Sequence, residues 1–264
     1  MKQRIITGVI AAALFIPFVV FGGIPFTLLV YAMAAIGLYE VLRMKDISLF
    51  SVQGILTLLT MFILLMPNAW ETKVMEATSY SKMEFLFLGA ILLLIYTVLI
   101  KNKFTFDDVG FVIISALYVG VGFHYLIETR IEGLEYIIYA LVIVWTTDSG
   151  AYFVGRKIGK NKLWPEISPN KTIEGFVGGI ITAIFFAIIY QLVVGIDTSY
   201  VTLIIVTIIA SIFGQMGDLV ESAIKRHYDV KDSGKILPGH GGILDRFDSL
   251  LFVLPLLHFL HFVG

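Results

Sequence analysis

Residues 5–39 form a run of 35 residues without a charged side chain, interrupted only by Gly22-Gly23-Ile24-Pro25. A helix rises about 1.5 Å per residue, so about 20 residues cross the hydrocarbon core of a bilayer. The run is too long for one crossing, and a Gly/Pro cluster is a turn. It predicts two membrane helices, with Glu40 near the end of the second. Further predominantly apolar stretches, read as spans, lie near 51–69, 85–100, 109–127, 135–154, 174–195, 200–218 and 243–262. The expectation is an all-α, polytopic integral membrane protein with nine transmembrane helices, forming a single membrane-embedded domain over residues 1–264. Composition agrees. The chain is 58% hydrophobic and 15% charged, whereas a soluble domain is roughly 45–50% apolar and about 25% charged. With a mean hydropathy of +0.91, no single aqueous core could hide this much apolar surface, so the solvent is lipid.

The amino terminus, Met1-Lys2-Gln3-Arg4 before an apolar stretch, is built like a signal peptide. No small-x-small cleavage site follows Phe21 and the next segment is again apolar, so it reads as a retained span. Lys and Arg then set the orientation. With the N-terminus in the cytoplasm, the inner segments 1–4, 43–50, 101–108, 155–173 and 219–242 carry 15 basic residues. The outer loops carry only Lys73, Lys82 and Arg130. That asymmetry is a positive-inside signal and supports the span count.

Other chemistry is removed by what the chain lacks. There is no cysteine, hence no disulfide, thiolate metal site or thiol nucleophile. A net charge of −1 argues against a general nucleic-acid binder, which needs a basic face. No three histidines or acids have the spacing of a zinc site. His227 reads as solvated, His124 as a hydrogen-bonded core residue, and His258 and His261 as interfacial. Trp70 falls where an aromatic belt would lie.

An ionisable side chain at the centre of a span costs roughly 2.5–3.5 kcal/mol on insertion scales. Asp148, Asp218, Glu221, Asp245, Arg246 and Asp248 lie within or at the edge of spans, all toward the cytoplasmic end. Asp245 and Asp248 are three apart, as are Asp218 and Glu221, so each pair shares a helix face. Carboxylates gathered at a low-dielectric boundary repel unless something positive lies between them, and hard oxygen donors suit Mg²⁺. The alternative is that Arg246 and neighbouring lysines neutralise them as structural ion pairs.

Two polar loops border these acids. The first runs Gly155-Arg156-Lys157-Ile158-Gly159-Lys160, then Ile167-Ser168-Pro169-Asn170-Lys171-Thr172-Ile173-Glu174-Gly175. Glycine, lysine and hydroxyl groups before a helix N-terminus favour phosphate. It is not a Walker A loop, because the glycines are one residue too close and Asn161 follows Lys160. A positive-inside anchor with a Ser-Pro helix start would look similar. The second loop runs from Gly217 through Ser222, Lys225, Arg226, Lys231 and Lys235 to Pro238-Gly239-His240-Gly241-Gly242-Ile243-Leu244-Asp245-Arg246-Phe247-Asp248. Interleaved cations, glycines and acids are the kit for a nucleoside triphosphate with Mg²⁺. His240 either bonds a phosphate or holds the turn.

The segment Ser222–Asp248 resembles the signature of the phosphatidate cytidylyltransferases, or CDP-diacylglycerol synthases. The pattern is S-x-x-K-R, then K-D-x-S/G, then P-G-H-G-G-x-x-D-R-x-D, and every fixed position is filled. The stretches around Asp148, Tyr152, Gly155, Arg156, Gly159 and Lys160, and around Ser168, Pro169, Lys171, Thr172, Glu174 and Gly175, are also similar to this family. Asn170 departs from it, standing where a second lysine is common. The resemblance implies transfer of CMP from CTP to phosphatidate with Mg²⁺, giving CDP-diacylglycerol and pyrophosphate. It implies a membrane-embedded homodimer in a bacterial inner membrane, with its active site facing the cytoplasm. Under it, Asp218, Asp245 and Asp248 are expected to ligate metal, with Asp148 as a support or second metal position. Lys171, Lys225 and Arg226 are expected to clamp phosphates, and Asp248 also counts as catalytic. Ser168, Thr172, Arg156, Lys160, Ser222, His240, Gly241, Gly242 and Arg246 are expected to contact substrate.

Three other functions are compatible with parts of the pattern. A secondary transporter needs acids near the midplane and usually a repeat, and neither is visible. Another CTP-using membrane enzyme, such as a polyprenol kinase or an archaeal-type lipid cytidylyltransferase, differs in its product. A purely structural scaffold leaves both glycine-rich, charge-mixed loops unexplained.

Overall fold

The computed structural model describes residues 2–264, except for the side chains of Lys2, Arg4 and Ile5. The expectation that residues 1–4 anchor the N-terminus in the cytoplasm falls on Met1 and two of those side chains, outside the described residues. The chain runs through α1 (Lys2–Phe21), α2 (Gly23–Met44), α3 (Val52–Leu65), α4 (Asn68–Thr78), α5 (Lys82–Leu99) and α6 (Phe106–Glu132). It continues through α7 (Leu134–Ile158), β1 (Lys162–Trp164), β2 (Ser168–Thr172), α8 (Ile173–Val194), α9 (Tyr200–His227), α10 (Leu244–Phe247) and α11 (Leu250–Phe259).

Each of the nine expected segments falls on a helix or a helix pair. Among the described residues six helices, α2 and α5 to α9, are long and apolar enough to cross a membrane. The α3–α4 pair bends by 109° and would be a seventh span if counted as one. The bend sits at Met66-Pro67, where proline restricts the residue before it. Helix α1 contributes the shorter apolar stretch Ile6–Phe21. The expected final span over 243–262 is divided. Its first turn is α10, and α11 begins only after Asp248, whose Oδ1 accepts the Ser249 N–H at 2.8 Å.

Two further boundaries differ from the sequence reading. Helix α9 does not stop near 218 but continues to His227, so Asp218, Ser222 and Lys225 are on one helix, not in a loop. Ser222 Oγ donates to Asp218 Oδ1 at 3.3 Å and Lys225 Nζ to Glu221 Oε2 at 2.7 Å, both i,i+4 pairs that extend a helix. Lys225, Arg226 and His227 complement the dipole in its last turn. The loop expected between Gly155 and Thr172 begins as the last turn of α7 and then forms an antiparallel hairpin, β1 with β2, pairing Lys162 with Thr172 and Trp164 with Ser168.

The chain divides into two compact units. One comprises the chain up to Glu128 together with Ser233–Leu244. In it Glu128 takes Asn68 N at 2.9 Å and Asn68 Nδ2 at 2.8 Å, which closes the exposed N-terminus of α4. Glu40, 2% exposed on α2, accepts from Ser233 Oγ and from the backbone N–H groups of Ile243 and Leu244.

The second unit comprises Thr129–Asp232 and Asp245–Gly264. Its main contact is α7 against α8, made by small residues every fourth position. A Cβ added to Gly175 would lie 2.7 Å from the Ala151 carbonyl oxygen, and one added to Gly179 would lie 2.8 Å from that of Thr147. In lipid, where apolar burial drives helix association little, such close backbone approach supplies the packing. Helix α9 joins by hydrogen bonds, Tyr139 to Thr207 at 2.8 Å and Thr147 to Ser211 at 2.9 Å. Gly217 admits the carbonyl of Asp248, which a Cβ there would approach to 2.6 Å. These close contacts bring Asp148, Asp218 and Asp248 together.

Candidate active site

A cavity of about 520 Å³ opens where α7, the hairpin, the first turn of α8 and α9 meet. That is within the usual range for small-molecule sites. Asp148, Tyr152 and Arg156 come from α7, Lys171 from β2 and Asp218 from α9. Lys171 Nζ meets Asp218 Oδ2 at 2.6 Å. Arg156 Nη1 donates to the Tyr152 hydroxyl at 3.3 Å. Asp148 lies in the electrostatic field of Asp218, Lys171 and Arg246, and Asp248 in that of Asp218 and Asp148. Asn170, the departure from the family pattern, lines the cavity beside Lys171.

The hairpin is held by its neighbours. Thr172 is the N-cap of α8 and accepts the Gly175 N–H at 3.1 Å, which commits its hydroxyl to the helix start. A Cβ on Gly155 would come within 2.9 Å of that hydroxyl and one on Gly159 within 2.6 Å, so these glycines give Thr172 its room. Glu174 draws in the preceding turn, accepting from Lys160 N at 3.1 Å and from Asn161 Nδ2 at 2.8 Å. Lys160 thus serves through its backbone. It and Ser168 are not among the residues lining the cavity.

A second polar group lies in the same unit and is dry. Lys225 Nζ donates to Glu221 Oε2 at 2.7 Å and to Asp245 Oδ1 at 2.6 Å, with all three side chains 11% exposed or less. Lys225, expected as a phosphate clamp, spends its ammonium on two carboxylates here. Arg226, expected in the same role, donates to Val230 O at 3.1 Å and covers the end of α9. Ser222 is turned to Asp218.

The expected metal ligands are therefore divided: Asp148, Asp218 and Asp248 group near the cavity, and Asp245 pairs with Lys225. Among the described residues no three His, Asp or Glu side chains are drawn together tightly enough to hold an ion, and lysine ammonium groups sit against Asp218 and Asp245. The donor chemistry nevertheless fits Mg²⁺. Asp148, Asp218 and Asp248 lie within one another's electrostatic field, with Lys171 and Arg246 as the cations acting on Asp148. Hard carboxylate oxygens of this kind are what a divalent cation selects.

The glycine-rich segment is organised within the other unit. His240 N donates to Leu237 O at 2.8 Å and Leu237 N to Gly241 O at 3.0 Å, which makes His240 part of a tight turn. Gly241 has φ +85°, a conformation that favours glycine. At Gly242 a Cβ would overlap the Glu40 carboxylate. Sequence reasoning placed Glu40 only as the end of a span. The signal that could have found it is a lone acid in the apolar half of a membrane helix.

The cytidylyltransferase family's sequence profile matches residues 2–263. The chain belongs to the cytidylyltransferase family. It is 57% identical over 263 residues to the phosphatidate cytidylyltransferase of Bacillus subtilis (strain 168), covering 98% of this chain and 97% of that one. The phosphatidate cytidylyltransferases of Staphylococcus haemolyticus (strain JCSC1435) and Staphylococcus aureus (strain COL) are 50% and 48% identical, each over 98% of both chains. The cavity and the buried triad are thus parts of a membrane-embedded nucleotidyltransferase.

Proposed function

We propose that this cytidylyltransferase joins CTP to phosphatidate, forming CDP-diacylglycerol and pyrophosphate for phospholipid synthesis. The observation that carries the reading is the cavity in which Lys171 and Asp218 meet beside Asp148, in a chain similar over nearly its whole length to phosphatidate cytidylyltransferases. A phosphate oxygen of phosphatidate attacks the α-phosphorus of CTP. The new P–O bond forms as the bond from the α-phosphorus to the bridging oxygen breaks, and pyrophosphate leaves with that electron pair. The attacking phosphate is already anionic at neutral pH, so no strong general base is required. The obstacle is bringing two polyanions together, and catalysis is charge neutralisation and positioning.

In this reading Lys171 exchanges Asp218 for a phosphate when substrate enters, and Arg156 supplies a second positive charge on the same wall. Asp148, Asp218 and Asp248 would hold Mg²⁺, which would supply charge compensation to the phosphates. Asp245 remains in its triad, and Lys225 keeps it there. The cytoplasmic placement of the site rests on the basic bias of the loops, and a homodimer in a bacterial inner membrane rests on the resemblance alone.

The test is incubation of purified protein with CTP, phosphatidate and Mg²⁺, with lipid products identified by mass spectrometry. A liponucleotide is expected, and none is expected in chelator until Mg²⁺ is restored. A phosphorylated lipid without cytidine overturns the substrate assignment, and full activity in chelator overturns the metal.

A further inference from the structure

Glu40 lies outside every motif discussed so far, yet it is among the most deeply placed acids in the protein. Its Oε2 accepts from Ser233 Oγ at 3.1 Å and from Leu244 N at 3.0 Å, and its Oε1 from Ile243 N at 3.0 Å. These donors come from both ends of the segment 233–244, some two hundred residues further along the chain. Two glycines make room for the carboxylate, because a Cβ at Gly234 or at Gly242 would overlap it. One turn before Glu40, Gly37 forms a notch for Leu244, where an added Cβ would lie 3.1 Å from Leu244 Cδ2. Leu244 is 1% exposed. One face of α2 therefore grips the segment twice, by a carboxylate on its backbone and by a notch for an apolar side chain.

A glycine-rich segment is costly to order, because glycine loses more backbone freedom than any other residue. Segment 233–244 contains four glycines, Gly234, Gly239, Gly241 and Gly242, and two of them have positive φ. Something must offset that entropy if the segment is to have one shape before substrate arrives. Hydrogen bonds to an ionised acceptor are stronger than neutral ones, and in a dry setting more so. Glu40 accepts such bonds from Ser233, Ile243 and Leu244 and ties both ends of the segment to a rigid helix.

We propose that Glu40 is a positioning residue that preshapes segment 233–244 for the phosphates of the nucleotide. It touches no substrate. It acts through Ser233, Ile243 and Leu244, fixing the loop that carries Lys235, His240, Gly241 and Gly242. The inference rests on the cytidylyltransferase reading for the ligand but not for the geometry, and the two are tested separately. The loss of Glu40 raises the KM for CTP, since the segment must then be ordered at the expense of binding. The KM for phosphatidate changes little.

The experiment compares Glu40→Ala, Glu40→Gln and Ser233→Ala with wild type in detergent. Hydrogen exchange reads the Ile243 and Leu244 amides without substrate, and steady-state kinetics reads the two KM values. In Glu40→Ala those amides are expected to exchange at least about tenfold faster, and the KM for CTP to rise about tenfold, as expected for lost bonds to a charged acceptor. The change in KM for phosphatidate is expected to stay below about twofold on the same grounds. Glu40→Gln keeps one acceptor oxygen and is expected to recover part of both effects. Ser233→Ala, which leaves Glu40 on the backbone amides, is expected to move the KM for CTP by only about two- to threefold. Unchanged exchange at 243 and 244 overturns the positioning role whatever the enzyme makes. Faster exchange with an unchanged KM for CTP, or an equal rise in both KM values, overturns the link to the nucleotide. Absence of liponucleotide from the wild type refutes the substrate reading and leaves the exchange result to decide Glu40.

Discussion

Lys171 reaches Asp218 at 2.6 Å, and Lys225 reaches Asp245 at the same distance. The settings differ. The first pair is 27% and 33% exposed on a cavity wall, and the second is 11% and 6% exposed and shares its lysine with Glu221. Water screens the first, and an exposed pair of this kind is worth about 0–1 kcal/mol, so an incoming phosphate can take the lysine. The second has no such competitor, and removing one partner leaves an uncompensated charge. Equal bond lengths thus conceal a replaceable contact and a permanent one. Motif membership does not separate them, since both lysines, Lys171 and Lys225, belong to the family signatures.

The largest effect expected from this contrast is on stability. Lys225→Met should destabilise the protein by about 3–5 kcal/mol, the usual cost of breaking a buried pair, read as a fall in Tm in detergent. A Tm equal to wild type would collapse the distinction. Next, Asp218→Asn should lower kcat by about a hundredfold or more, the scale of losing one electrostatic contact to a transition state, with the protein inserted normally and its Tm nearly unchanged. Asp245→Asn should also lower turnover, but through stability, with a fall in Tm, because it takes one of the two carboxylates that hold Lys225. Wild-type turnover in both variants removes the acidic centre from the mechanism. Lys171→Ala should raise the KM for CTP about tenfold while stability stays within about 1 kcal/mol, as for an exposed pair. A drop in Tm matching that of Lys225→Met would show that the two pairs are alike. The smallest effect is Thr172→Ala, about 1 kcal/mol for a lost N-cap, visible in Tm with KM values close to wild type.

Much of this was readable along the chain. The positions of the membrane helices followed from hydropathy, which is a local property. Asp148, Asp218, Asp245 and Asp248 stood out because charge is costly in lipid wherever it occurs. Their division into two groups was not readable, because the partner of each acid depends on which helix packs beside it. Of the two possibilities raised by the sequence, structural ion pairs are formed at Asp218, Glu221 and Asp245, and a cation site is what we propose for Asp148, Asp218 and Asp248. Helix α9 is longer than hydropathy implies, because hydropathy ends at the charged residues past 218 whereas i,i+4 pairing carries the helix on to His227. The hairpin is not legible in the sequence, because strands of three and five residues leave no periodicity to detect.

The amino-acid sequence by itself determined that this chain lives in lipid, that its acids gather toward one end of several helices, and that its signatures are those of a cytidylyltransferase. Hydrophobic transfer and motif spacing are written residue by residue, so they survive without coordinates. Only the tertiary structure decided that Lys171 faces a cavity while Lys225 is sealed, and that Glu40 on α2 holds a loop about two hundred residues away. Those outcomes depend on close backbone approach at Gly175, Gly179, Gly217, Gly234 and Gly242. A glycine's neighbour across such a contact is set by packing and cannot be read from the residues beside it in the chain.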